Sequence, residues 1–213
     1  MNFKQFYLSE SEKYPTPDSE SKSYYLKRLK ETWYHGSYDK FSKFSGPTFV
    51  SSEGIAASYG YDGYLYKCKL HTKSPFLFVE NNTRLKSTGS DGKGMKLAGT
   101  DEELRDFFRD ELLKGLPDSQ LKHFDSAYAK SGPSVPSSVL NKLGGSYDSI
   151  WEIIYKNLKR LGFDSIMFMD ERFDKQGRDI ACIVLNPKDV DIIGVAEIDE
   201  RGKFDLDFIE EDK

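Results

Sequence analysis

Residues 33 to 60, WYHGSYDKFSKFSGPTFVSSEGIAASYG, bring an imidazole, a short apolar run and a tyrosine into one local unit. An imidazole donates or accepts a hydrogen bond near neutral pH. Aromatic rings add flat faces against which another ring can stack. His35 stands in a Tyr-His-Gly-Ser turn, where a core has no use for it, and a loop has no need of Phe49 and Val50. Histidine at the end of one strand, then a second short strand, then a small-residue helix ending in Tyr59, points to a ligand held between strand and helix.

Other reactive side chains are sparse. His71 and His123 complete the imidazoles, and no histidine has a cysteine or histidine partner at ligand spacing, so no metal site is expected. Cys68 and Cys182 sit in apolar alternating runs and read as buried free thiols of a reducing compartment. The stretch DGKGMK has glycines and lysines without the spacing of a phosphate loop and reads as linker. With 38% hydrophobic and 31% charged residues, the 213-residue chain is long enough for one domain with a real core. The net charge of -4 argues against a large non-specific nucleic-acid surface, which needs clustered Lys and Arg. No run approaches the roughly 18 apolar residues of a membrane span, and no secretory h-region is present, so a soluble protein without membrane partners is expected; it is also expected to be a monomer.

The elements that must position His35 and Tyr59 follow from periodicity. Ser19 can cap a helix to about Thr32, with Tyr24, Leu26, Leu29 and Trp33 apolar. WYHGS begins a strand, residues 48 to 51 form a second, and Ser51 or Ser52 caps the helix that follows. GYLYKCKL alternates, and SPFLFVE continues as an extended edge segment. After a glycine-rich loop over 81 to 100, a helix is expected from Asp101 to about Lys114. Short interrupted helices are expected over 116 to 146, and a strong amphipathic helix over Tyr147 to Leu161 ended by Gly162. FDSIMFM, DIACIVLN, VDIIGVAEI and KFDLDFI then read as strands, with a turn at DERFDKQGR. Strands, helices and strands again without regular alternation give α+β.

YHGS, GPTFVSSEGIAASYG and LGFDSIMFMDERFDKQGRDIACIVLNPKDVDIIG together resemble the ADP-ribosyltransferase fold over roughly residues 30 to 195. The likeness is to its histidine-type branch, shared by diphtheria-like toxins and poly(ADP-ribose) polymerases. The middle of the chain, 80 to 145, matches only in kind. The resemblance implies a split, twisted β-sheet core with surrounding helices, and NAD bound as a substrate without a metal. It implies that His35 bonds the adenosine-side ribose and that Gly36 lets the backbone approach the nicotinamide amide. Tyr59 maps onto one aromatic wall for nicotinamide. The other wall falls on Thr48, with Phe49 next to it: either Phe49 takes the role by a one-residue shift, or the wall is missing and Tyr61 or Tyr64 substitutes. The family glutamate falls on Ala181, so the catalytic carboxylate is assigned to Asp179, two residues upstream on the same strand face, with Glu171 and Asp170 as further candidates. Phe173, Gln176 and Arg178 are expected to touch the acceptor.

The first residues, MNFKQFYLSE, resemble the capsid-targeting peptides of internal head proteins of T4-like phages, with Leu8-Ser9-Glu10 as the processing site. Residues 1 to 18 are then a targeting and linker segment, and 19 to 213 the transferase-like domain. The activity implied is mono-ADP-ribosyl transfer to a host protein or nucleic acid by a toxin-like effector, in the host cytoplasm after delivery in a bacteriophage virion. The alternatives are an NAD glycohydrolase, a non-catalytic binding module of the same fold, or an internal head protein.

Overall fold

The computed structural model describes residues 19–77, 101–131, 147–170 and 179–199. The expected targeting segment, the glycine-rich loop, the turn at 171–178 and the final strand lie outside the described residues. The chain divides into two compact units, Ser23–Phe76 with Asp164–Lys213 and Met1–Lys22 with Leu77–Phe163.

The first unit carries the sheets. Its strands are β1 (Trp33–Ser37), β2 (Thr48–Val50), β3 (Tyr64–Leu70), β4 (Pro75–Leu77), β5 (Ser165–Asp170), β6 (Asp179–Val184) and β7 (Val190–Glu197), with helices α1 (Ser19–Arg28) and α2 (Glu53–Tyr59). Three strands form one sheet in the order β1-β3-β7, and four form a second in the order β2-β6-β5-β4. With two sheets and several helices, the chain is α+β. SPFLFVE supplies β4, an edge strand as its proline requires.

Strand β3 shows why the order is stable. Tyr66 and Cys68 are buried on one side, yet Leu65 is also fully buried, because it packs with Ala56, Ala57 and Ile198. A register shift between Lys67 and Cys68 bends the strand where it pairs with β7. Helix α1 stops at Arg28, short of Thr32, because Lys30 and Glu31 donate to carbonyls three residues back and tighten the last turn. Arg28 then lays its guanidinium 4.0 Å above the Trp33 ring and donates to Thr32 O at 2.9 Å.

Helix α2 meets β1 backbone against backbone. A methyl group on Gly36 would run into the Ala56 carbonyl, and one on Gly60 would come within 2.6 Å of Tyr64 O. The small side chains of SSEGIAASYG are therefore what let this helix lie on β1. Ser52 is the N-cap residue, but its hydroxyl makes no capping bond.

The second unit is helical among its described residues. Helix α3 (Asp101–Asp106) does not continue as α-helix to Lys114; it passes into a π-helical turn over Phe107–Leu112. The apolar residues explain the change: Phe107 and Leu112, like Phe108 and Leu113, are five apart, and all four are buried. A π turn brings residues five apart nearly into line, and Leu113 N donates to Phe108 O at 2.8 Å accordingly. Helix α4 (Asp118–Ser131) runs 14 residues, held by buried Phe124 and Tyr128 one turn apart, and the rest of the stretch expected to hold short interrupted helices, 132–146, lies outside the described residues. Helix α5 (Tyr147–Arg160) ends as the sequence indicates: Gly162 takes φ 92°, and Phe163 N returns to Leu158 O. From α5, the buried Asn157 amide donates to Leu112 O at 2.9 Å and Lys114 O at 3.0 Å, fastening the end of the π turn.

Two substitutions check this packing by urea unfolding. Gly36→Ala is expected to cost at least about 2 kcal/mol, since backbone cannot yield as a side chain does, whereas Gly46→Ala, open on all sides, stays within about 0.5 kcal/mol of wild type. Asn157→Ala is expected to cost about 1–3 kcal/mol by leaving the buried Leu112 carbonyl and the part-buried Lys114 carbonyl without their donor.

Candidate functional site

The site is built where the two sheets part. Tyr34 on β1 and Ser51 beyond β2 exchange both backbone bonds, at 2.9 and 2.8 Å. In an antiparallel ladder the next such rung would join Gly36 to Phe49. Among the described residues that rung is not made. The Phe49 carbonyl instead accepts from the ring of His35, whose Nδ1 lies 2.7 Å away. By the same alternation, the N–H and C=O of Gly36 point away from β3, toward the gap between β1 and β2. They form a donor and acceptor pair on a strand edge, suited to a flat amide.

The bond to Phe49 fixes the chemistry of His35. A carbonyl can only accept, so Nδ1 carries the proton and Nε2 of the neutral ring presents a lone pair. Burial pushes the imidazole below its ordinary value, and the Phe49 bond opposes that push only in part. His35 is thus a neutral hydrogen-bond acceptor, fitted to a hydroxyl and unfitted to an anion. Its ring is enclosed by Phe44 at 5.1 Å, Phe41 at 5.8 Å and Tyr66 at 6.1 Å between centroids.

Strand β2 separates the two positions between which the sequence left the aromatic wall open. Thr48 is 3% exposed and its hydroxyl donates to Gly46 O at 3.0 Å, so it belongs to the buried face. Phe49 is half-buried on the other face, 5.2 Å from Tyr59 and 6.1 Å from Phe168. The planes of Phe49 and Tyr59 cross at 68°. A ring sandwiched between two walls needs them parallel and about 7 Å apart, twice the ~3.5 Å contact distance. Phe49 and Tyr59 therefore present an aromatic corner in this arrangement. Of the substitutes, Tyr61 is half exposed, and Tyr64 has the Lys40 ammonium 5.6 Å above its ring.

The carboxylates are placed by backbone alone. Asp179 opens β6 directly opposite Asp170 of β5, and Ala181, fully buried, pairs with Phe168. Glu171, Phe173, Gln176 and Arg178 lie outside the described residues. One acid that the sequence did not single out is Glu53, at the start of α2, with a buried carboxylate oxygen that has no hydrogen-bond partner. It helps burial to raise the Tyr34 phenol. The thiols are no alternative nucleophiles, since burial pushes Cys68 up to about 12 and Cys182 higher still.

Phe41, Phe44, Tyr66 and Phe168 were missed as site neighbours. Phe168 has a signal, alternation with Ile166 on a strand, but Phe41 and Phe44 lie in a Ser/Lys loop with no periodicity.

The tautomer has two consequences that can be measured. Nitrogen NMR of the imidazoles at about pH 7.5 should show His35 protonated at Nδ1 only. Because its folded pKa is lowered, the unfolded chain binds the extra proton first. The stability due to neutral His35 is thus full above about pH 6.5 and declines as pH falls from there toward the lower folded value. Urea unfolding of wild type and His35→Gln at about pH 7.5 and about pH 5.5 should show their difference shrinking at the lower pH. The chain matches no family model, and no curated protein or solved structure matches it.

Proposed function

We propose that the unit carrying His35 is an ADP-ribosyltransferase-like domain with a split, twisted sheet, which binds NAD bent across the gap between β1 and β2. The observation that carries this reading is the His35–Phe49 bond beside the free edge of Gly36. It leaves a hydroxyl acceptor and an amide-binding edge on adjacent residues, as a ribose and a carboxamide of one ligand would require. His35 Nε2 accepts from the adenosine-side ribose, Gly36 takes the nicotinamide carboxamide, and the nicotinamide ring lies in the corner of Phe49 and Tyr59 once one of the two turns to admit it.

In the reaction the bond between the nicotinamide nitrogen and the ribose carbon breaks, and its electron pair leaves with nicotinamide. A nucleophile on a protein or nucleic acid attacks that carbon from the opposite face and loses its proton. A carboxylate stabilises the positive charge that develops on the ribose, an electrostatic role given to Asp179 with Glu171 as its rival. The likeness of residues 1–10 to a packaging peptide goes with delivery to a host inside a phage head.

Incubation of labelled NAD with a bacterial lysate tests the proposal, beside His35→Ala, Asp179→Ala and Glu171→Ala proteins. Label moving onto protein or RNA is expected, reduced at least about 100-fold in His35→Ala and Asp179→Ala. Free nicotinamide without a labelled macromolecule would replace transfer by hydrolysis. Label that survives Asp179→Ala but not Glu171→Ala moves the acid to Glu171. A folded protein that turns over no NAD refutes catalysis and leaves a binding module.

A further inference from the structure

The loop between β1 and β2 is better ordered than its composition suggests. Ser37 Oγ accepts from Asp39 N at 3.1 Å and starts the turn. The Tyr66 hydroxyl, projecting from β3, then accepts from Phe41 N at 2.8 Å and donates to Asp39 O at 3.1 Å. Phe41 lies flat on Tyr66, centroids 4.3 Å apart and planes within 13°. One phenol therefore satisfies two backbone groups of the loop and stacks on its side chain. Such prior fixing spares a ligand the entropy of ordering the wall it binds.

Phe44 differs from Phe41. It meets all three ring neighbours at steep angles, 86° to His35, 63° to Phe41 and 63° to Tyr66, and none of them stacks on it. It is only half-buried, and its centroid is 5.1 Å from that of His35. A ribose hydroxyl bonded to His35 Nε2 carries its base on the neighbouring ribose carbon, which brings that base to the rings around the imidazole. Of those rings, Phe41 and Tyr66 already use a face on each other.

We infer that Phe44 is the stacking platform for the purine base of the dinucleotide, in a wall formed by the Tyr66-anchored loop 38–47. This rests on the NAD reading of His35. The ring neighbours of His35 in this wall are hydrocarbon or the engaged Tyr66 hydroxyl, so the base is held by area and polarisability rather than by its edge pattern. Stacking of this kind is tolerant of base identity, since every base has a π face. The site therefore takes guanine as well as adenine dinucleotides and discriminates strongly against ligands that lack a base.

Calorimetric titration of the full chain with AMP and with ribose 5-phosphate is the test. Wild type should bind AMP at least about 10-fold more tightly than ribose 5-phosphate, with GMP within about 3-fold of AMP. Phe44→Leu should lose about 10-fold for AMP and leave ribose 5-phosphate unchanged, while Phe44→Tyr keeps the wild-type preference. Thermal melts of both variants establish that they are folded. Equal binding of AMP and ribose 5-phosphate by wild type overturns the platform without needing a variant, and so does AMP affinity unchanged in folded Phe44→Leu. If His35→Ala weakens AMP while Phe44→Leu does not, the platform fails and the NAD reading stands. If wild type binds neither AMP nor NAD, both fail together.

Discussion

The hydrogen bond from His35 Nδ1 to the Phe49 carbonyl is the constraint on which the candidate site depends. It stands where a backbone rung between β1 and β2 would otherwise form, so one side chain ends the pairing of two strands and opens the gap between two sheets. A buried carbonyl without a partner costs about 1–3 kcal/mol, and the imidazole removes that cost while keeping the strands apart. The same bond fixes the tautomer, and the tautomer decides that the other ring nitrogen accepts. Geometry and chemistry here have one cause.

Close approach of backbones is the second condition. Helix α2 covers one face of Gly36, and it lies so near only because Gly36 and Gly60 have no β-carbon. Ala56 and Ala57 extend that contact to Leu65 and Ile198. Tyr59, last residue of this short helix, is carried toward Phe49 by that docking. The corner of Phe49 and Tyr59 is an outcome of how the helix lies on β1.

The helical unit is held by a different device. Apolar residues five apart draw the chain after Asp106 into a π turn, whose last carbonyls need partners from outside the helix. Asn157 satisfies two of them from α5 with a single amide group. Such a bond between distant segments ties the unusual turn to the one helix whose amphipathic pattern is strongest.

The sequence by itself determined the elements and much of their faces. Alternation in YLYKCKL, the continuous apolar run of DIACIV, the apolar stripe of Tyr147–Arg160 and the glycine that ends it each follow from nearest-neighbour geometry, which a linear pattern records. It also brought His35, Phe49 and Tyr59 forward as a unit, because the strand, turn and helix that carry them are contiguous. It did not choose between Thr48 and Phe49, since that depends on which face of β2 turns to the core. It read residues 101–114 as one regular helix, because propensity is nearly blind to an extra residue in a turn. The partner of His35 Nδ1, and the enclosure of its ring by Phe44, Phe41 and Tyr66, were decided by tertiary structure alone. Those contacts join β1 to β2, to an aperiodic loop and to β3, and no local periodicity encodes a meeting between segments that only the folded sheets bring together.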